Sequence, residues 1–181
     1  MQRDGANGRK RIIFEVLALV LLIALIAIDQ LTKLYFSKSL KYGQKIDVIN
    51  GFFYFTYTVN TGAAWSFLSD APWAQTFFKI LTAVALVLFV LFYLYAVKKK
   101  YKWLRVAVIL VISGTVGNFI DRLAINGVID FIGFTFGAYN FPIFNLADSF
   151  LVVGIIMLII HYLFLDTNAV FKKKSDANKK V

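Results

Sequence analysis

The stretch ILTAVALVLFVLFYLYAV, residues 80–97, contains no charged side chain and decides the fold class. Its eighteen residues are enough for a helix to cross the hydrocarbon core of a bilayer, which takes about 17–25 residues. If Lys79 snorkels to the interface, this span extends over residues 71–97. Three further apolar stretches have similar length, at residues 12–28, 103–121 and 148–165. The sequence therefore predicts four transmembrane helices.

The composition excludes several classes of protein. Of the 181 residues, 60% are hydrophobic and 17% are charged, whereas soluble domains average about 45–50% and about 25%. A lone soluble domain and a disordered chain are both excluded. The chain has no cysteine and only one histidine, His161. These counts exclude disulfides, a thiol nucleophile and HExxH-type zinc sites, and we expect neither a metal nor a cofactor.

The basic residues indicate the orientation of the spans. The net charge is +10, and its clusters lie before the first span, between the second and third, and after the fourth. With four spans, all three clusters fall on one side, which is the positive-inside pattern. We therefore expect both termini in the cytoplasm, membrane lipid as the partner of the basic clusters, and no nucleic acid. The Lys-rich tail, residues 171–181, is expected to be disordered within a single membrane domain that covers residues 1–181.

The outer side of the membrane then holds two connecting segments. Residues 40–67 contain FFYFTYTV at residues 52–59, a composition typical of a strand. The segment after Asp121 is rich in glycine, so we expect mostly loop there, with one strand at residues 128–131. The predicted fold is an all-α membrane protein: four transmembrane helices with a small extracytoplasmic β-rich cradle.

Three of the ten acidic residues are expected at one depth on the outer side. Asp29 and Asp121 are predicted at the C-terminal ends of the first and third spans, and Asp148 at the N-terminal start of the fourth. Charged groups at such positions are costly unless paired, which makes them functional candidates. Negative charge is unfavourable at a helix C-terminus. We therefore expect Asp29 and Asp121 to form a structural ion-pair lattice with nearby polar groups: Lys33, Asn118 and Arg122.

Charge context also suggests a pair of acids with different protonation. Asp148 is favoured in its ionised form at a helix N-terminus, although a plain N-cap explains it slightly better from spacing alone. Asp130 lies among apolar residues, which would raise the pKa of its carboxyl group in a dry site. One ionised and one neutral carboxyl group are what an aspartic protease needs to activate water and protonate a carbonyl oxygen.

The residues are also compatible with other functions. Ser66, Ser113 or Ser149 would need His161, which lies too far along the fourth span. A serine–lysine pair using Lys33 or Lys79 has no motif to support it. Two non-enzymatic alternatives are a small proton-coupled transporter or channel subunit and an assembly protein in which the acids form ion pairs. The lack of an internal repeat and the single-sided acids argue against the transporter.

Five blocks in order resemble those of lipoprotein signal peptidase (signal peptidase II), an aspartic peptidase family of the bacterial cytoplasmic membrane. The blocks are DQLTK at residues 29–33, NTGAAWSF at 60–67, GTVGNFIDRL at 114–123, GVIDFI at 127–132 and FPIFNLADS at 141–149. Each block alone is weakly specific, but five in sequence at fitting topological positions are highly specific.

The resemblance implies a function and a set of site residues. It implies that Asp130 and Asp148 are the catalytic pair at the outer face, and that cleavage removes the signal peptide of a prolipoprotein just before its diacylglyceryl-modified cysteine. It also implies a globomycin-type cyclic peptide as inhibitor. The expected supporting and substrate-binding residues are Asp29, Lys33, Asn60, Gly62, Asn118, Asp121, Arg122 and Asn145.

Overall fold

The computed structural model describes residues 2–62, 71 and 73–166, and from residue 8 onward their side chains. Its helices are α1 (Gln2–Ser39), α2 (Ala74–Lys99), α3 (Lys102–Ile125) and α4 (Leu146–Ile160), and α4 continues into a π-helical turn at His161–Leu165. All four are long and apolar enough to cross a membrane. Together with the small sheet described below, they confirm the predicted fold class.

Helix α3 forms the centre of the bundle, with α1, α2 and α4 packed around it. In its most apolar window, 67% of the residues are buried, against 11% or less in the other three helices. Small residues allow the close approach of α4. A Cβ atom on Gly114 would overlap the carbonyl oxygen of Ala147 and lie 2.8 Å from Leu151 Cγ. Small residues at membrane helix interfaces permit this kind of backbone contact.

The sheet lies at the end of the bundle where α4 begins. Strands β1 (Lys45–Ile49), β2 (Phe53–Asn60), β3 (Val128–Phe136) and β4 (Tyr139–Asn140) are antiparallel and neighbour one another in that order. Phe36 of α1 stacks on Phe131 with ring centroids 4.6 Å apart, and also contacts Phe55. These rings attach the sheet to α1.

Strand β3 corrects the expectation of a loop with a strand only at residues 128–131. The strand runs nine residues, through Gly133 to Phe136. Gly133 does not interrupt the strand, because the ring of Tyr54 occupies the space that a side chain at this position would take. The predicted strand at residues 52–59 is confirmed by β2.

The predicted helix ends at Asp29 and Asp121 are wrong. Helix α1 continues ten residues beyond Asp29, and α3 continues to Ile125. Asp29 is compatible with a helix interior because Lys33, one turn later, neutralises it within the same helix. Asp29 therefore does not experience the unfavourable charge of a helix C-terminus. The predicted tail at residues 171–181, Ser66 and the end of the 40–67 segment lie outside the described residues.

A second polar cluster ties three helices together near the other end of the bundle. Arg105 Nη1 of α3 lies 2.7 Å from Glu15 Oε1 of α1, and Tyr93 Oη of α2 donates to Glu15 Oε2 at 2.6 Å. Pairing with an opposite charge lowers the cost of placing a charged group at a membrane helix contact. This cluster fixes the helices around α3 far from the sheet.

Candidate active site

Asp130 and Asp148 line the same cavity, which has a volume of about 690 Å³. Asp130 is buried in β3, and Asp148 lies in the first turn of α4. The cavity wall collects further residues from β2, α3 and the segment before α4. Six of the ten site residues expected from the sequence line it: Asn60, Gly62, Asn118, Arg122, Asp130 and Asp148.

Asn145 connects the two carboxyl groups directly. Its Nδ2 donates to Asp130 Oδ1 at 2.7 Å, and its backbone N–H donates to Asp148 Oδ2 at 3.1 Å. Its Oδ1 accepts from the backbone N–H of Asp148 at 3.0 Å, which completes a capping box. The plain N-cap interpretation of Asp148 is therefore wrong: Asn145 is the N-cap, and the Asp148 carboxylate takes part in the box while it faces the cavity.

Asn118 of α3 is hydrogen-bonded to the same group of residues. Its Nδ2 donates to Asp148 Oδ1 at 2.8 Å, while its Oδ1 accepts from Asn145 Nδ2 at 3.1 Å. Each carboxyl group thus receives a hydrogen bond from a buried amide. Since these two amides are also hydrogen-bonded to each other, the positions of the two carboxyl groups are coupled.

A buried ion cluster supports the two amides. Lys33 Nζ lies 2.9 Å from Asp29 Oδ2 and 2.9 Å from Asp121 Oδ2. Asp29 Oδ1 accepts from the backbone N–H of Ala147 at 2.9 Å, and Asp121 Oδ2 accepts from that of Ile129 at 3.1 Å. The cluster therefore fixes the backbone immediately before each member of the pair.

Gln30 is a supporting residue that the sequence analysis missed. Its Nε2 lies within hydrogen-bond distance of Asp29 Oδ2, Asp121 Oδ1 and the Gly117 carbonyl oxygen, at 3.0–3.2 Å. It therefore links α1 to α3 beside the ion cluster. Its place next to Asp29 in the first block is the only sequence signal for this role.

The remaining expected residues form the outer wall of the cavity. Asn60 hydrogen-bonds the Asp130 side chain, and its Oδ1 also accepts from the backbone N–H of Gly62 at 2.9 Å. The guanidinium of Arg122 lies over the Phe78 ring, 5.6 Å from its centroid. Cationic and amide donors thus face the space in front of the two acids.

The environment of Asp130 raises the pKa of its carboxyl group to about 7. Burial is the largest cause, and the negative charge of Asp148 adds to it. Hydrogen bonds from Asn145 and Asn60 and the charge of Lys33 act in the opposite direction without cancelling the effect. Near neutral pH the pair can therefore hold one proton.

The alternative nucleophiles in the described part of the chain are engaged elsewhere. Ser149 Oγ donates to the Asn145 carbonyl and Ser113 Oγ to the Leu110 carbonyl. His161 is buried at the far end of α4, with its Nε2 3.8 Å from Asp166 Oδ2. Lys79 donates to Asn126 Oδ1 at 2.7 Å. Among residues 8–62 and 73–166, no group of three His, Asp or Glu side chains is arranged to hold a metal ion.

Comparisons with known proteins show the family of this chain. The family model described as signal peptidase (SPase) II matches residues 21–164. Proteins named lipoprotein signal peptidase include one from Bacillus pumilus, 43% identical over 144 residues (80% of this chain, 90% of the relative), and one from Bacillus subtilis, 42% identical over 154 residues (85% and 95%). A bacterial membrane enzyme solved by the in meso method at 1.9 Å resolution is 36% identical. It superposes with a TM-score of 0.70 and covers 82% of this chain and 94% of its own. This chain therefore belongs to the signal peptidase II family.

Proposed function

We propose that this protein is a membrane aspartic endopeptidase that removes the signal peptide from diacylglyceryl-modified prolipoproteins, cutting just before the lipidated cysteine. The observation that carries the proposal is the bridging of Asp130 and Asp148 by Asn145 inside one cavity. The family and the relatives named lipoprotein signal peptidase support the substrate class. No contact in the described residues favours a proton-coupled transporter.

The chemistry needs one ionised and one protonated carboxyl group. The ionised carboxylate takes a proton from a water molecule as the water oxygen attacks the scissile carbonyl carbon. The protonated partner donates its proton to the carbonyl oxygen, giving a neutral tetrahedral intermediate. Collapse of that intermediate breaks the C–N bond: the proton taken from water goes to the leaving amine, and one hydroxyl proton of the intermediate returns to the carboxylate that had protonated the carbonyl oxygen. The pair then again holds one proton. The carboxyl group of Asp130, with a pKa of about 7, can exchange a proton within this cycle near neutral pH.

The shape of the bundle suits a substrate that arrives through the bilayer. Helices α2 and α4 each pack along α3 rather than along each other. The cavity reaches between them, where Thr82 of α2, Thr115 of α3 and Leu151 of α4 line it. An apolar signal peptide and the acyl chains of a lipidated cysteine can therefore approach the acids without leaving the membrane.

The wall residues can recognise the peptide backbone rather than its side chains. Arg122 offers several N–H donors for substrate carbonyls, and Asn60 lies on the same wall. Such contacts leave the substrate side chains largely unread, which suits an enzyme with many lipoprotein substrates. We also propose that a globomycin-type cyclic peptide occupies this cavity and meets the same donors.

The orientation belongs to the same proposal. The basic clusters around Arg9, Lys98 and Lys172 support cytoplasmic termini, which would put Asp130 and Asp148 at the outer face of the cytoplasmic membrane. This orientation predicts that a reporter that works only in the cytoplasm is active when it is fused to the C-terminus. Activity of a C-terminal reporter that works only outside the cytoplasm would show the opposite orientation.

Cleavage of a defined precursor tests the proposed function. The purified protein in detergent is expected to cut a diacylglyceryl-modified prolipoprotein and to leave the same precursor intact when its cysteine carries no lipid. A globomycin-type cyclic peptide should block the cut. A signal peptidase II of established activity serves as the positive control. If the control cuts the modified precursor and this protein does not, the proposed function is wrong.

A further inference from the structure

Lys33 lies close to the Asp130–Asp148 pair, and all three of its N–H donors are directed at oxygen acceptors. Besides Asp29 Oδ2 and Asp121 Oδ2, its Nζ donates to Asn118 Oδ1 at 3.0 Å. The residue is 1% exposed. Since an ammonium group has only three donors, this arrangement uses its full capacity and fixes the position of its charge.

The contact with Asn118 determines which way that amide points. Lys33 can only donate, so the oxygen of the Asn118 amide must face it. The nitrogen is then left to donate to Asp148 Oδ1, at 2.8 Å. A flipped amide would place its NH2 group against the ammonium and its oxygen against the carboxylate, which is unfavourable on both sides. The hydrogen bond to Asp148 therefore depends on Lys33.

The charges around the pair give Lys33 a second role. The ionisable groups packed about this site are Asp29 from α1, Asp121 and Arg122 from α3, Asp130 from β3 and Asp148 from α4. Four carboxyl groups thus share two cations, and charges at this separation in a buried site shift proton binding strongly. The positive charge of Lys33 opposes the uptake of a second proton by the pair.

We propose that Lys33 is a positioning residue for the reaction: it orients the Asn118 amide toward Asp148 and supplies the charge that keeps the Asp130–Asp148 pair singly protonated near neutral pH. This inference rests on the proposed aspartic mechanism. A purely structural Lys33 would stabilise the fold without influencing the protonation of the pair.

The pH profile of turnover separates these two roles. Lys33→Gln removes a positive charge, so the pair holds its protons more tightly, and both limbs of the bell-shaped profile should move to higher pH by roughly one unit. Asp29→Asn removes a negative charge from the same cluster, so both limbs should move to lower pH. Lys79→Gln and Asp47→Asn carry the same substitutions away from the cavity and are expected to leave the limbs in place.

Opposite shifts in the two variants support the inference. Limbs that stay at the wild-type pH while turnover falls equally at all pH values would overturn it. If Lys33→Gln does not fold, Asp29→Asn decides alone: a downward shift supports the charge role and an unmoved profile removes it. Full activity of Asp130→Asn would instead disprove the proposed aspartic mechanism. A failure of the mechanism can therefore be distinguished from a failure of the inference about Lys33.

Discussion

Asp130→Asn and Asp148→Asn are each expected to reduce turnover of a lipidated prolipoprotein by at least about 1,000-fold. An amide can neither take the proton of the attacking water nor supply one to the carbonyl oxygen, and removal of one member of a cooperating pair abolishes most of its joint effect. Binding of the substrate should change little, because the wall residues remain. Single-turnover cleavage at saturating enzyme measures this loss. Asp47→Asn on the exposed strand β1 is the matched control.

The stability of Asp130→Asn distinguishes lost chemistry from lost structure. The pKa of the Asp130 carboxyl group is raised to about 7 in the folded protein, above its unfolded value of about 4. A raised pKa contributes stability that is complete below the unfolded pKa and is lost as the pH rises through about 7. At pH 8 the wild type must bury an ionised carboxylate, so Asp130→Asn should be more stable by up to about 4 kcal/mol.

The advantage of Asp130→Asn should shrink at pH 5, where the wild-type carboxyl group is protonated. Thermal unfolding in detergent at the two pH values measures this difference. A variant that is inactive and also less stable than wild type at pH 8 would mean that the lost activity reflects a damaged fold. Near-wild-type turnover in either aspartate variant would show that the pair is assigned wrongly.

Gly114→Ala should lower both stability and activity, although residue 114 does not touch the acids. The new methyl group would overlap the carbonyl oxygen of Ala147 and press on Leu151. Since the obstacle is backbone, the start of α4 must move, and such overpacking costs about 1–3 kcal/mol. A displacement of about 1 Å at Asp148 can cost about 100-fold in rate. We expect a lower melting temperature together with a turnover about 10–100-fold below wild type.

Gly8→Ala is the control for that substitution, because apart from its chain neighbours and the adjacent backbone of α1, no atom lies within 4 Å of the position that its methyl group would take. It should leave turnover unchanged. If Gly114→Ala melted and cut like the wild type, the close contact between α3 and α4 would not be what positions Asp148.

The sequence predicts the four helices because long uncharged runs have few alternatives to spanning a membrane. The predicted ends of α1 and α3 are wrong because the prediction ends each of these helices at a charged residue. Asp29 and Lys33 neutralise each other one turn apart, so α1 continues to Ser39. The sequence predicts the start of β3 at residues 128–131 but misses its extension to Phe136. This extension depends on Gly133, whose role is set by Tyr54 from another strand.

Most residues of the site could be predicted from the sequence, but the hydrogen bonds that join them could not. Charge context and the five blocks bring Asp130 and Asp148 forward as candidates. The bridge through Asn145 depends on β3, α3 and the start of α4 meeting in space, which spacing along the chain does not encode. Gln30 was missed because two of its three acceptors lie on α3, 87 and 91 residues away along the chain.

In the proposed mechanism the Asp130–Asp148 pair activates water directly, without a covalent intermediate. Single-turnover cleavage of a lipidated prolipoprotein in the presence of hydroxylamine tests it, with mass analysis of the released signal peptide. The released signal peptide should carry a free carboxylate at its new C-terminus, and the cleavage rate should not depend on hydroxylamine. A hydroxamate at that C-terminus would reveal an acyl-enzyme and rule out direct attack by water.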